Sequence, residues 1–214
     1  MELCLQNKVI VITGNGKGNT ENLIRVLSDE GAILVIVGRN VYNHLKLKQE
    51  IETSGSKVIL VEAELGHPAE CENAVRNIIQ KYGCIDGLVN DAGVNEGMGL
   101  DLSGIFLQCI QKNLVHYYLM THFVLPYLKK TKGAIVNVSF ILTETDQGNS
   151  AVYTVSTGGI NALTREWAVE LLKYGIRVNS VIVKECVPEI ANVVAFLLSQ
   201  KSSHTTGQLI RYSG

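Results

Sequence analysis

Tyr153, a phenol that can give or take a proton, begins the run Tyr153-Thr154-Val155-Ser156-Thr157. Positions three and four apart share a helical face, and neither Ser156 nor Thr157 on that face carries a charge. A phenol of ordinary pKa ~10 is ionised in only about one molecule in a thousand at neutral pH, and a nearby cation normally offsets this at about 1.4 kcal/mol per unit. A second run, Thr13-Gly14-Asn15-Gly16-Lys17-Gly18-Asn19-Thr20, is built to meet phosphate. Its glycines let the backbone turn tightly and approach a pyrophosphate, while a helix opening behind it offers free N–H groups and a positive dipole end. A third, Val37-Gly38-Arg39-Asn40, bears on the ribose. An acid at position 38 would bind ribose hydroxyls and suit NAD; glycine removes that contact and leaves Arg39, with Lys17, to meet the ribose phosphate of NADP. Both cations are read equally well as solvated surface groups.

The loop departs from the ideal pattern. Thr20 stands where a third glycine is expected, and a Cβ there should push the helix slightly from the sheet. Asn19 replaces the usual apolar residue. A glycine-rich turn without ligand is the plain alternative, but the strand-turn-helix setting favours the phosphate reading. A P-loop is excluded, because Gly16-Lys17 is followed by Gly18 instead of Ser or Thr.

These residues need a scaffold, and the chain alternates short β-branched runs with longer amphipathic ones. Val9–Thr13, Ile33–Val37, Lys57–Val61, Ile85–Asn90, Ala134–Ser139, Arg177–Val183 and Leu209–Arg211 read as strands. Helical patterns fall near 20–30, 41–54, 68–82, 103–130, 151–173 and 188–200. The strands are almost continuously apolar, as when both faces are covered. The alternation predicts an α/β fold, a Rossmann-type doubly wound parallel sheet forming one domain over 1–214. The loops at the carboxyl ends of the strands then build the site. After Arg177–Val183 the connection to the next helix is too short for a substrate lid.

A length of 214 residues fits one domain. Hydrophobic residues at 46% against 18% charged indicate a globular chain, and a net charge of -1 gives no footing for nucleic acid or an anionic membrane. Cysteines 4, 71, 84, 109 and 186 form no Cys-x-x-Cys pair, so reduced thiols are expected. No basic segment followed by an apolar stretch marks a signal peptide, and no apolar run reaches the ~18 residues of a membrane helix; a cytoplasmic protein is expected. His116 and His122 are six apart and do not share a helical face, so no metal is expected. No Gly-x-Ser-x-Gly elbow suggests a serine hydrolase.

Taken together, the chain resembles the short-chain dehydrogenase/reductase family over nearly its whole length. The carrying motifs are Thr13-Gly14-x-x-x-Gly18, Glu64-Leu65, Asn90-Asp91-Ala92-Gly93, Asn113, Ile135-Val136-Asn137-Val138-Ser139, Tyr153, Gly175-Ile176-Arg177-Val178-Asn179 and Ser203-His204-Thr205-Thr206-Gly207-Gln208. The stretches Gly87–Asn95, Asn113–Tyr118 and Leu163–Val169 are similar to L-fucose dehydrogenase-like sugar dehydrogenases. The resemblance implies an oxidoreductase passing hydride between NADP or NAD and a hydroxyl or carbonyl of a small-molecule substrate, with Arg39 and Lys17 favouring NADP. It places Gly14, Asn15, Lys17, Gly18 and Asn19 at the phosphates, Glu64 and Leu65 beside the adenine, and Asn90, Ala92 and Gly93 beneath the ribose. Asp91 replaces the usual asparagine. It also implies a homodimer or homotetramer through helices 103–130 and 151–173.

The family's chemistry needs a tyrosine, a lysine four residues on, a serine thirteen residues before and an asparagine in the long helix. Tyr153 and Asn113 are present. The lysine position holds Thr157 and the serine position Phe140, with Ser139 adjacent. Losing an oriented donor at a developing oxyanion costs on the order of 10²–10³ in rate, so impaired activity is expected, the alternative being an inactive relative that binds dinucleotide or partner subunits. Two rescues are open: a bulge that turns Ser139 into the site, and Lys184 swinging in from the end of its strand.

Overall fold

The computed structural model describes residues 2–14, 18–39, 45–53, 55–93, 106–140, 151–184 and 187–212. Seven parallel strands form one sheet: β1 (Val9–Thr13), β2 (Ile33–Gly38), β3 (Lys57–Glu62), β4 (Gly87–Asn90), β5 (Ala134–Phe140), β6 (Arg177–Val183) and β7 (Leu209–Tyr212). Their spatial order is β3-β2-β1-β4-β5-β6-β7. The order reverses between β1 and β4, and in such sheets the crevice at the carboxyl ends of the reversing strands receives ligands.

The strands are apolar on both faces because both are covered. Ile10, Ile12, Leu34, Ile36, Val136 and Val181 pack with Leu23, Ile24, Leu27, Val194 and Leu197 of α1 (Asn19–Asp29) and α7 (Ile190–Leu198). Their alternate neighbours Val9, Val11, Val35, Val37, Ile135 and Val178 pack with α3 (Pro68–Tyr82), α5 (His116–Thr131) and α6 (Ala151–Leu171). A period of two thus feeds two cores from one set of strands. α2 (Leu45–Thr53) lies by the outer edge at β3; the earlier part of the expected helix 41–54 lies outside the described residues. Among the described residues no helix is long and apolar enough to cross a membrane.

The long helix has a break that matters for the site. α4 (Phe106–Ile110) passes into a π-helical turn, Gln111–Val115, before α5 begins. Such turns widen the hydrogen-bond ladder by one residue and collect at functional sites. Asn113 is at its centre.

Candidate functional site

An open cleft lies where β1, β2 and β4 end. Its lining includes Gly14, Arg39, Glu64, Leu65, Ala92 and Gly93, together with Lys112, Gly38 and Gly66. Six of the residues singled out in the sequence are therefore brought into one wall. Asn15 and Lys17 lie outside the described residues. Lys112 was not anticipated; its only sequence signal is that it precedes Asn113.

Glycine is required twice in this wall. A Cβ on Gly14 would collide with the Thr20 side chain, and a Cβ on Gly38 would collide with the carbonyl oxygen of Gly14. Gly14 N–H donates to Val37 O at 3.0 Å, which fixes that approach. Gly18 takes a left-handed φ of 70° just before α1, a conformation that favours glycine. The cradle is one that side chains would fill, and so fits a dinucleotide backbone. Gly38→Asp, which installs the acid typical of an NAD site, is expected to weaken both NADH and NADPH about tenfold or more instead of switching preference, because overpacking here costs about 1–3 kcal/mol. Fluorescence titration of both cofactors checks this, and a variant with improved NADH affinity would contradict it.

The ionic setting of the cleft is modest. Arg39 Nε approaches Glu64 Oε2 at 3.5 Å, with both side chains partly exposed. Glu64 N–H donates to Glu70 Oε2 at 2.5 Å. The Glu70 carboxyl titrates below its ordinary value, chiefly through that backbone hydrogen bond.

Thr20 and Asp91 lie beneath the loop. Thr20 is buried, and its Oγ1 donates to Asp91 Oδ2 at 2.7 Å. The expected steric conflict at position 20 is thus met by a side chain fitted between Gly14 and Asp91. Asn19 turns inward as well: it is buried and hydrogen-bonds Asp91, with its Oδ1 left without a partner. Its side chain does not line the cleft. Asn90 is committed to the sheet. Its Nδ2 donates to Asn137 Oδ1 at 2.9 Å, Asn137 Nδ2 donates to Thr164 Oγ1 at 2.9 Å, and Thr164 Oγ1 donates to Ile160 O at 2.9 Å. This buried chain ties β4 to β5 and to α6.

Tyr153 lies in the first turn of α6, buried, with its ring 5.7 Å from that of Phe140. Thr157 is buried one turn on. Its hydroxyl donates to Tyr153 O at 3.0 Å and to Thr154 O at 3.1 Å, back into its own helix. Asn113 is buried; its Nδ2 donates to Cys109 O at 3.1 Å, and its Oδ1 lies 3.3 Å from where a Cβ of Gly93 would stand. Asn113 therefore adjoins the cleft.

Ser139 is placed elsewhere. It is buried and donates to Asn161 Oδ1 of α6 at 2.9 Å, an acceptor shared with Ser180. β5 keeps unbroken register with β6 through Ser139↔Ile182 and Phe140↔Val183. The bulge that would turn Ser139 into the site is absent from this strand. Because side chains alternate along a strand, displacing the serine by one residue sends its hydroxyl to the opposite face, and Phe140 is left beside Tyr153. Lys184 is exposed just beyond β6.

Neighbouring aromatic side chains at the start of α5 face opposite ways. Tyr117 is buried, its hydroxyl donating to Val138 O at 2.7 Å, and burial pushes its pKa well above the phenol value. Tyr118 is exposed and stacks on His122 at 6.0 Å. His116 is buried beside the backbone of Lys112 and Ala92, in geometry too poor for full hydrogen bonds, and burial lowers its pKa to about 3. The two histidines thus face core and solvent respectively.

Residues 8–193 match the short chain dehydrogenase family. The chain is 26% identical over 178 residues to an L-fucose dehydrogenase of Rattus norvegicus, covering 81% of this chain but 64% of that protein. It spans less than two thirds of the length of that relative. It is 30% identical over 244 aligned positions to the 3-oxoacyl-(acyl-carrier-protein) reductase FabG of Thermotoga maritima, covering 98% of each. That span exceeds the 214 residues of this chain, so the relative carries residues within the match that this chain lacks. Among solved structures, the Cj0485 dehydrogenase superposes with a TM-score of 0.92 at 29% identity, covering 99% of this chain and 94% of that one.

Proposed function

The chain belongs to the short-chain dehydrogenase family, and we propose that it is an oxidoreductase of that family with impaired turnover. A nicotinamide dinucleotide held in the cleft would supply or accept the hydride at a hydroxyl or carbonyl carbon. The chain's own part is to seat that group and to handle the proton. Gly14 and Gly38 admit the dinucleotide backbone, Leu65 and Ala92 provide apolar wall, and Arg39 meets the ribose. Tyr153 gives or takes the proton at the substrate oxygen, with Asn113 beside the cleft to organise water. The observation that carries the impairment is Thr157: its hydroxyl is bonded back to Tyr153 O, so position 157 offers the phenol neither a charge nor a free donor. Phe140 adds to this by placing a ring, in place of a hydroxyl, beside Tyr153.

A sugar hydroxyl is the proposed substrate class, supported by the similarity to the rat L-fucose dehydrogenase. The short connection between β6 and α7 supports a site without a large lid. NADP is the proposed cofactor over NAD, because the ion pair of Arg39 among the described residues is a weak, partly exposed one with Glu64 that a 2′-phosphate can displace. Arg39→Ala is expected to weaken NADPH about tenfold and leave NADH within about twofold; equal losses for both would remove the NADP assignment.

The second reading is an inactive relative acting through dinucleotide binding or subunit contacts. Exposed apolar side chains favour it: Phe106, Leu107, Val155, Val169 and Leu172 all stand on the helices through which a homodimer or homotetramer is proposed. A cytoplasmic location is proposed with either. Fluorescence titration with NADH and NADPH, followed by turnover on a panel of sugars, separates the readings. Binding with slow turnover supports the impaired enzyme, binding without turnover supports the inactive relative, and absence of binding overturns the dinucleotide site itself.

A further inference from the structure

Two of the departures from the family pattern around the phosphate loop, Thr20 and Asp91, are 71 residues apart in sequence and in direct contact in the fold. We propose that the Asp91 carboxyl links proton uptake to dinucleotide binding, so that the affinity of the cleft falls as this carboxyl ionises. The inference rests on the reading of the cleft as a dinucleotide site and deepens it.

The geometry supplies the coupling. Asp91 follows β4 directly, and its N–H donates to Thr13 O at 3.2 Å and Thr13 Oγ1 at 3.1 Å, pinning it to the end of β1. The next two residues, Ala92 and Gly93, line the cleft. Its carboxyl is turned in against Thr20 and Asn19, the first turn of α1. An ionised Asp91 and a bound pyrophosphate would therefore draw on the same positive helix end. The second negative charge is held less well than the first, and a proton on Asp91 relieves the conflict.

Among the described residues, the groups facing this carboxyl leave it as the titrating member. Asn19, Thr20 and Thr13 are uncharged. Tyr117 of α5 has a pKa well above the phenol value and stays neutral, and His116, beside Ala92, is neutral above about pH 3. Arg39, Glu64 and Lys112 line the cleft, beyond Ala92 and Gly93. Burial raises the Asp91 pKa to about 7, against the opposing hydrogen bonds from Thr20 and Asn19. In the free protein the carboxyl thus loses its proton as pH rises through about 7. A bound anion raises the pKa further, so binding above that pH takes up a proton. Affinity then falls with rising pH by up to about tenfold per unit.

The test is calorimetric titration of the full chain with NADH, whose phosphates do not titrate in the range used, from pH 6 to 8.5. Two buffers of different ionisation enthalpy count the protons taken up. The expected result is about tenfold weaker binding at pH 8.5 than at pH 6, with net proton uptake at pH 8, and a flat profile for Asp91→Asn that binds more tightly than wild type at pH 8.5. Binding that is independent of pH, without proton uptake, overturns the inference and leaves the dinucleotide reading intact. An Asp91→Asn profile as steep as that of wild type assigns the linkage to another group and also overturns it. No binding of NADH or NADPH at any pH removes the dinucleotide reading, and the inference with it. The buffer comparison needs only the wild-type protein, so a variant that fails to fold leaves the test in force.

Discussion

Thr157→Lys combined with Phe140→Ser is expected to raise kcat/KM on the best sugar substrate by on the order of 10²-fold or more, the size of effect seen when an oriented donor at a developing oxyanion is present instead of absent. Position 157 lies one helical turn from Tyr153 and on its face, and the present hydroxyl is bonded back to the α6 backbone. A lysine there supplies a charge that favours the phenolate and so brings its pKa toward the working range. The second change is needed for two reasons. Thr157 is buried, so a longer side chain needs room, and the Phe140 ring 5.7 Å from the Tyr153 ring takes some of it. The serine also restores a donor for the substrate oxygen. Groups that act as a unit are strongly non-additive, so each single variant is expected to gain under about tenfold. Initial rates at saturating cofactor measure the effect, with cofactor affinity as the control for an intact site. A folded double variant that binds cofactor normally and turns over no faster than wild type would show that the deficit lies elsewhere.

What the sequence disclosed and what it concealed follow the range of the interactions involved. α3 was legible to the residue because its signals are local: Pro68 sits in the first turn and Gly83 ends the helix at a left-handed φ of 74°. β4 was read two residues too long, over Ile85–Asn90. Asp86 still bonds both neighbours through its backbone, its N–H donating to Val9 O at 2.8 Å and its C=O accepting from Ala134 N–H at 3.2 Å. But Val9 N–H goes to the Asp86 carboxylate at 2.9 Å and Ile85 O accepts from Thr131 Oγ1 at 2.8 Å, so the regular ladder begins only at Gly87. The π-helical turn left no periodic trace, since one widened turn within a long apolar helix does not shift its pattern enough to be seen. The cleft was legible where a motif carries the backbone requirement, as at Gly14, whereas Gly38 read only as a missing acid because its close approach to Gly14 O is a long-range contact. Thr20 and Asp91 instead looked like two independent defects, because their hydrogen bond joins the first turn of α1 to the end of β4 and no local rule relates them. Ser139 illustrates the converse. Its identity suggested chemistry, but the two-residue period of an unbroken strand decided its direction.

Arg177 was visible only as part of a motif, and its physical role gives the largest expected effect on stability. It is a buried cation facing the carboxyl end of α7. Nη1 donates to Leu197 O at 2.6 Å and Ser202 Oγ at 2.7 Å, and Nη2 to Leu198 O at 3.3 Å and Ser199 O at 3.0 Å. The last carbonyls of a helix have no partners within it, and a cation there is further favoured by the negative end of the dipole. Burial lowers the Arg177 pKa without approaching the range in which it would deprotonate at ordinary pH. Arg177→Met fills similar volume but leaves several buried acceptors without that donor, each costing about 1–3 kcal/mol. Ser202 Oγ still donates to Leu197 O and Ser199 O at 3.0 Å, which limits the damage. The expected net loss is about 3–5 kcal/mol in urea unfolding, a large share of the about 5–15 kcal/mol that holds a domain folded. Arg177→Lys keeps the charge but lacks the planar fork, so its loss is expected to fall between the two. A loss under about 1 kcal/mol for Arg177→Met would mean that water or a shift of α7 satisfies those carbonyls as well as the guanidinium does. The packing of α7 against α1, and through it the first turn that carries Thr20, makes the same variant a test of whether this remote cap supports the cleft: cofactor affinity should weaken in parallel with stability only if α1 moves when α7 does.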